Sequence, residues 1–268
     1  MAGRPSEKRA LALLRQAADL GINFFDTADV YGLGESDIGY AEQLLQKAFR
    51  GRSDIYIATK GGMWRKGVKW TYRGSTRDLR SACHASLRRL KTEAIFLYQL
   101  HAIHPASDLR AKVETLAKLR ETGKITHLGL SNVTLSQLKK ASQIAKVSTV
   151  QNSLNLYAIR DFESGLIRFC EQNSITYIAH SPLGGPFRRA IAQESLSLRL
   201  KAKYEKSAES ILINWLWGLS PSVVVIPGFS KLATLKDALT ASQLKLDRSD
   251  QKSLLALARF RMGNFTIE

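Results

Sequence analysis

The chain has 268 residues, of which 44% are hydrophobic and 24% charged, the balance of a globular rather than a disordered protein. Its two cysteines, Cys83 and Cys170, cannot build a disulfide scaffold, and no Cys/His spacing marks a zinc site. No apolar run reaches the roughly 20 residues of a membrane helix. Lys and Arg number 40 against 23 Asp and Glu, a net charge of +17. The excess divides as +9 over residues 1–134 and +8 over 135–268, which excludes a basic tail.

In chain order, MAGRPSEKRALALLRQAADLG reads as an amphipathic helix that lacks the apolar stretch of a signal peptide. Short apolar runs follow at Ile22–Phe25, Ile55–Ala58, Ile95–Tyr98, Ile125–Leu130, Ser148–Gln151, Ile175–Ala179 and Ser222–Ile226, and each reads as a strand. Helical patterns fill the gaps. Ala106–Thr122 ends before Gly123, a natural C-terminal stop. Leu135–Ala145 has Ser131 and Asn132 available as N-cap material, and Ser207–Gly218 carries Ile211, Leu212, Trp215 and Leu216. Between Lys60 and Lys91 lie ten basic residues opposed only by Asp78, with aromatics interleaved in WRKGVKWTYR. The plain reading of that segment is a solvated loop and helix face; a pocket edge attracting anions ranks second, and nucleic acid last.

Continuous apolar strands separated by helices imply an α/β protein with a parallel sheet covered on both faces. Seven such strands without a linker point to a single (β/α)8 barrel domain over residues 1–268, a fold of about 250 residues. An eighth strand is missing from the count, because the chain begins on a helix.

Active sites of such barrels sit at the C-terminal strand ends. There the sequence places Asp26 with Tyr31, then Lys60, then His101. Taken singly, these suit plainer roles: a helix cap, a half-buried aromatic, a surface charge and a core histidine. Taken together they suit carbonyl reduction, which needs a proton delivered to oxygen as negative charge builds there. Tyrosine can deliver it if a cation lowers its pKa. Lys60 is the candidate cation, Asp26 can hold that ammonium, and His101 can orient the carbonyl.

The segments GINFFDTADVYG, IATKGG, LYQLH, GKITHLGLSN, VQNSLNLY, AHSPLGG and VVVIPGFSK resemble, in order, the signatures of the aldo-keto reductases. The resemblance implies metal-free, NADPH-dependent reduction of a small aldehyde or ketone, with the family's tetrad on Asp26, Tyr31, Lys60 and His101; a cytoplasmic location is instead the expectation from the lack of a membrane run or signal stretch. It implies nicotinamide contacts from Ser131, Asn132 and Gln151. His180 falls where the family usually stacks a Tyr or Trp on the nicotinamide. Ser181, Pro182, Leu183 and Gly184 match the pyrophosphate loop, and Gly228, Ser230 and Lys231 match the region that binds the 2′-phosphate. Asp237 falls near the adenine positions, although Ala238 replaces the usual Asn. GLGESD, Gly32–Asp37, fails as a Rossmann fingerprint and reads as a turn.

The segments GLSNVTLSQLKKA and VQNSLNLY look more like the branch of pyridoxal and general aldehyde reductases than the steroid-type branch. The runner-up is a barrel that holds NADPH with little turnover, like the potassium-channel β-subunits, or an inactive barrel. Family members open with a hairpin and a first strand, so the sequence reads as N-terminally short. It carries no signal for oligomeric state.

Overall fold

A computed structural model describes residues 5–72, 75–104 and 108–264. The chain divides into two compact units, residues 1–150 and 151–268.

The first unit opens with α1 (Glu7–Asp19), whose N-cap Ser6 accepts a hydrogen bond from the Arg9 N–H. Then come β1 (Phe24–Asp26), α2 (Tyr40–Phe49) and β2 (Tyr56–Gly61). A two-stranded antiparallel hairpin follows, β3 (Met63–Lys66) and β4 (Lys69–Tyr72). After it run α3 (Thr76–Leu90), β5 (Ile95–Leu100), α4 (Leu109–Glu121), β6 (Ile125–Ser131), α5 (Leu135–Ser142) and the start of β7 (Thr149–Ser153). The strand order is β1-β2-β5-β6-β7, with β1-β2, β2-β5 and β5-β6 parallel.

Alternation along β1 and β2 sorts their side chains. Phe25 and Ile57 pack with Leu11 and Leu14 of α1 against Leu45, Ala48 and Phe49 of α2. Thr59, on that same outer face, donates to Glu42 of α2 at 2.7 Å. The opposite face therefore carries Asp26 on β1 and Lys60 on β2, and Lys60 pairs in register with Gln99 of β5.

The second unit contains the rest of β7, α6 (Arg160–Glu163), α7 (Leu166–Gln172), β8 (Thr176–His180), α8 (Arg188–Gln193) and α9 (Ser195–Tyr204). It ends with α10 (Ala208–Trp217), β9 (Val223–Val225), α11 (Leu232–Leu239) and α12 (Arg248–Asn264). Its strand order is β7-β8-β9, with β8 and β9 parallel and Tyr177 paired to Val223. Trp215, Ile211 and Leu212 of α10 are buried in its core.

Seven parallel strands alternating with helices among the described residues match the seven expected. Several boundaries move. Strand β2 continues through Thr59, Lys60 and Gly61 beyond its apolar run. Helix α4 starts after its N-cap Asp108, and residues 105–107 of the expected helix lie outside the described ones. Gly123 follows it at φ 68°, the left-handed conformation expected beyond a helix end. Helix α5 stops at Ser142, and its N-cap is Thr134 rather than Ser131 or Asn132. The basic segment after Lys60 is a hairpin rather than a loop. Arg73 of that segment and residues 265–268 also fall outside the described residues.

Candidate active site

The four residues drawn from the strand ends all lie in the first unit. Lys60 is fully buried, and its ammonium has three acceptors for its three donors. They are Asp26 Oδ2 at 2.5 Å, the Thr27 carbonyl at 2.8 Å and the Tyr31 hydroxyl at 3.4 Å. The other oxygen of Asp26, Oδ1, accepts from Gln99 Nε2 at 3.3 Å. His101 follows β5 directly; its N–H donates to the Gly61 carbonyl at 2.9 Å, and its ring meets that of Tyr31 edge-on, with centroids 5.7 Å apart. Sequence spacing thus brings all four together.

A buried ammonium is tolerated only when it is paired and hydrogen-bonded, as Lys60 is. The phenol departs from the sequence expectation. Lys60 does pull the Tyr31 pKa down, but burial pulls it up by more, and Asp26 and Asp29 add to the rise. Tyr31 therefore stays protonated well above neutral pH, the state a proton donor needs.

A second buried cluster backs the loop. Asp29 is 3% exposed and its Oδ1 meets no hydrogen-bond donor among the described residues. Burial first, and the Glu42 carboxylate second, push its pKa up to about 7. Glu42, wholly buried, accepts from Thr59 and from Arg89 at 2.8 Å. Arg89 reaches it by passing over Gly39, whose φ is 88° and where a Cβ would collide with the arginine stem. The Gly39 N–H in turn donates to the Asp29 carbonyl at 2.6 Å.

At the end of β6, Ser131 is buried. Asn132 takes a left-handed φ of 55° and donates to the His101 carbonyl at 2.9 Å and to Ser131 Oγ at 3.1 Å. In the second unit Gln151 is buried on β7. His180 ends β8, with Nδ1 3.2 Å from Ser181 Oγ. Ser181, at φ 51°, starts a turn through buried Pro182 and Leu183 to Gly184, whose N–H donates to the Ser181 carbonyl. Ser230 and Lys231 are exposed immediately before α11, with Lys231 at its N-cap, and Gly228 precedes them, also exposed. Asp237 faces elsewhere. Its Oδ2 accepts from Ser207 and Ser210 at the start of α10. The turn expected at Gly32–Asp37 is present, with a short 3-10 helix over Glu35–Asp37.

The profile of the Aldo/keto reductase family matches residues 1–259. The chain belongs to the aldo/keto reductase family. An uncharacterized oxidoreductase of Schizosaccharomyces pombe is 35% identical over 90% of this chain and 77% of its own. A crystal structure of a thermostable aldo-keto reductase with the inhibitor epalrestat superposes with a TM-score of 0.82 at 26% identity, covering 95% of this chain and 89% of that one. An aldo-keto reductase from Klebsiella pneumoniae in complex with NADPH gives a TM-score of 0.80 at 26% identity, over 96% and 86% of the two chains. Membership makes this aldo/keto reductase an oxidoreductase by class, and its fold class is the α/β barrel type expected from the strand pattern. Among the described residues no group of His, Cys, Asp and Glu is arranged to hold a metal, and no helix is long and apolar enough to cross a membrane.

Sequence reasoning did not reach several groups that shape this site. The Thr27 carbonyl carries no side-chain signal at all. Gln99 could have been found, because it sits two residues from Leu97 and so shares its face within IFLYQL. Asp29 lies within the quoted GINFFDTADVYG and Arg65 and Trp70 within WRKGVKWTYR, but none was singled out there.

Proposed function

We propose that this chain reduces a small aldehyde or ketone to its alcohol with NADPH, using Tyr31 as proton donor. The observation that carries this reading is the sealed Lys60 ammonium, which touches both the Asp26 carboxylate and the Tyr31 hydroxyl.

The donor sets suit the cofactor. In the first unit Ser131 and Asn132 offer a hydroxyl and an amide at one strand end, of the kind that pairs with a carboxamide. In the second unit the Lys231 ammonium, the Ser230 hydroxyl and the first N–H groups of α11, which no side chain caps, form a set suited to a phosphate. Also in the second unit, Gln151, His180 and the Ser181–Gly184 turn offer further polar groups of the kind the cofactor needs. Asp237, already held by two serines, is the weakest member of the expected set.

When bound, NADPH supplies the hydride that goes to the carbonyl carbon. The protein supplies everything at the oxygen. The His101 ring, edge-on to Tyr31, would orient the carbonyl. As the C=O π bond breaks, the Tyr31 O–H proton passes to that oxygen. The resulting tyrosinate is held by the Lys60 ammonium 3.4 Å away, and solvent returns the proton. Asp26 holds the Lys60 ammonium in place.

Stopped-flow oxidation of NADPH with propanal and benzaldehyde tests the reading. Tyr31→Phe should lower kcat by about 10²–10⁴-fold, while NADPH affinity, followed by nicotinamide fluorescence, stays within threefold. Wild-type turnover no faster than the Tyr31→Phe variant would instead leave a cofactor-holding barrel.

A further inference from the structure

The hairpin β3–β4 stands apart from the parallel sheet and presents Trp70 beside the tetrad. Trp70 meets Tyr31 with centroids 6.2 Å apart at 79°, and His101 at 5.8 Å and 77°. Tyr31 and His101 are themselves at 79°. Three rings at nearly right angles make the inner corner of a box.

Trp70 is held there firmly. Its antiparallel register partner is Arg65, whose guanidinium stacks 4.1 Å from the indole centroid. Arg65 is only 5% exposed and is clamped by the Val68 carbonyl at 2.7 Å and the Gly32 carbonyl at 2.6 Å. One clamp ties the arginine to the hairpin's own turn, the other to the loop just past Tyr31. Yet Trp70 stays 47% exposed and Tyr31 36% exposed. An indole fixed so closely that enters no hydrophobic core leaves apolar surface open beside the reacting hydroxyl.

Building on the reductase reading, we propose that Trp70, positioned by Arg65, selects carbonyl substrates carrying a flat aromatic ring next to the C=O group. With the carbonyl oxygen at Tyr31 and His101, the group attached to the carbonyl carbon lies against the third wall of the corner. A flat ring can stack on the indole while its edge meets the other two rings, the geometry aromatic pairs favour. A short alkyl chain covers far less of that wall. Arg65 acts only through Trp70 and is a positioning residue.

The test compares kcat/KM for benzaldehyde with that for propanal, using NADPH, in wild type, Trp70→Phe, Trp70→Ala and Arg65→Met. The aryl-to-alkyl ratio should fall tenfold or more in Trp70→Ala, fall by less in Arg65→Met, and survive largely in Trp70→Phe. A ratio within twofold of wild type in a folded Trp70→Ala protein would overturn the proposal. A second readout needs no turnover: 4-nitrobenzyl alcohol should quench tryptophan emission saturably in wild type, and Trp70→Phe should abolish the saturable part. Saturable quenching that persists in Trp70→Phe, or its absence in wild type, would also overturn it. If neither aldehyde is turned over while the quenching behaves as expected, the reductase reading fails and the aromatic site stands.

Discussion

Asp29 lies two residues after Thr27, whose carbonyl holds Lys60, and two before Tyr31. Its own N–H donates to the Lys60 carbonyl at 3.3 Å, so the carboxyl is locked behind the tetrad. The groups around it are Glu42 on α2, Arg89 on α3, Lys60 on β2 and Tyr98 on β5. Of the two buried acids, Glu42 has Thr59 and Arg89 as partners, whereas burial raises the pKa of the Asp29 carboxyl and favours its protonated form. With its pKa raised from 3.8 to about 7, the folded chain holds a proton that the unfolded chain has released between those two values. Stability therefore falls as pH rises through that window, by up to on the order of 4 kcal/mol once pH exceeds 7. Asp29→Asn removes the titrating group while keeping its shape. Melting temperatures of the two proteins should diverge between about pH 4 and pH 7, the variant gaining on wild type as pH rises. Curves that run parallel over that range would show that Asp29 is not protonated in the folded chain.

At the scale of elements, the strands were legible because each is an apolar run between turn signals. Their far ends were not, because pairing is a backbone property and carries β2 on through Thr59, Lys60 and Gly61. That Asp26, Tyr31, Lys60 and His101 lie together was legible for a related reason, since the barrel rule reads whatever follows each run. Helix α5 shows a signal overlooked. Ser131 and Asn132 remain with the end of β6, and the T-x-x-Q of Thr134–Gln137 forms a reciprocal capping box. Thr134 Oγ1 accepts from the Gln137 N–H at 3.2 Å, and the Gln137 side chain accepts from the Thr134 N–H at 2.9 Å. Thr134→Ala should cost about 1 kcal/mol, read as a fall of about 2–4 °C in melting temperature. Thr134→Ser should restore most of it, and an unchanged melting temperature in the alanine variant would count against the cap. The hairpin had a signal too: KGVK puts a two-residue Gly-first turn between WRK and KWTY, with Gly67 at φ 58°. Weighing those residues as charges concealed their alternation, and with it Trp70.

For the whole chain the charge of +17 bears on stability as well as on partners. Two electrostatic effects oppose each other when salt is added. Exposed pairs such as Lys47–Glu7, Arg110–Glu114 and Lys118–Glu121 weaken, but each is worth about 0–1 kcal/mol at most. Against them stands the mutual repulsion of the excess cations, which grows with the square of net charge and is greatest in the compact state. Screening that excess from a Debye length of roughly 30 Å at 0.01 M to about 8 Å at 0.15 M relieves on the order of 5 kcal/mol. Repulsion wins, so salt should stabilise the fold. At pH 7 the melting temperature should climb by about 5 °C or more between 10 and 150 mM NaCl, and KCl should act equally, because screening does not distinguish the two cations. Near pH 10, where the sequence pI lies, the same salt step should have little effect. A melting temperature that is flat or falling with salt at pH 7 would mean that local pairs, rather than the overall excess of cations, govern the electrostatics of folding. Acid should expose the same repulsion from the other side, as protonation of the carboxylates leaves the 40 Lys and Arg unopposed, joined by five charged His, and removes partners such as Asp54, Glu194 and Asp250, whose pKa values lie below the ordinary range.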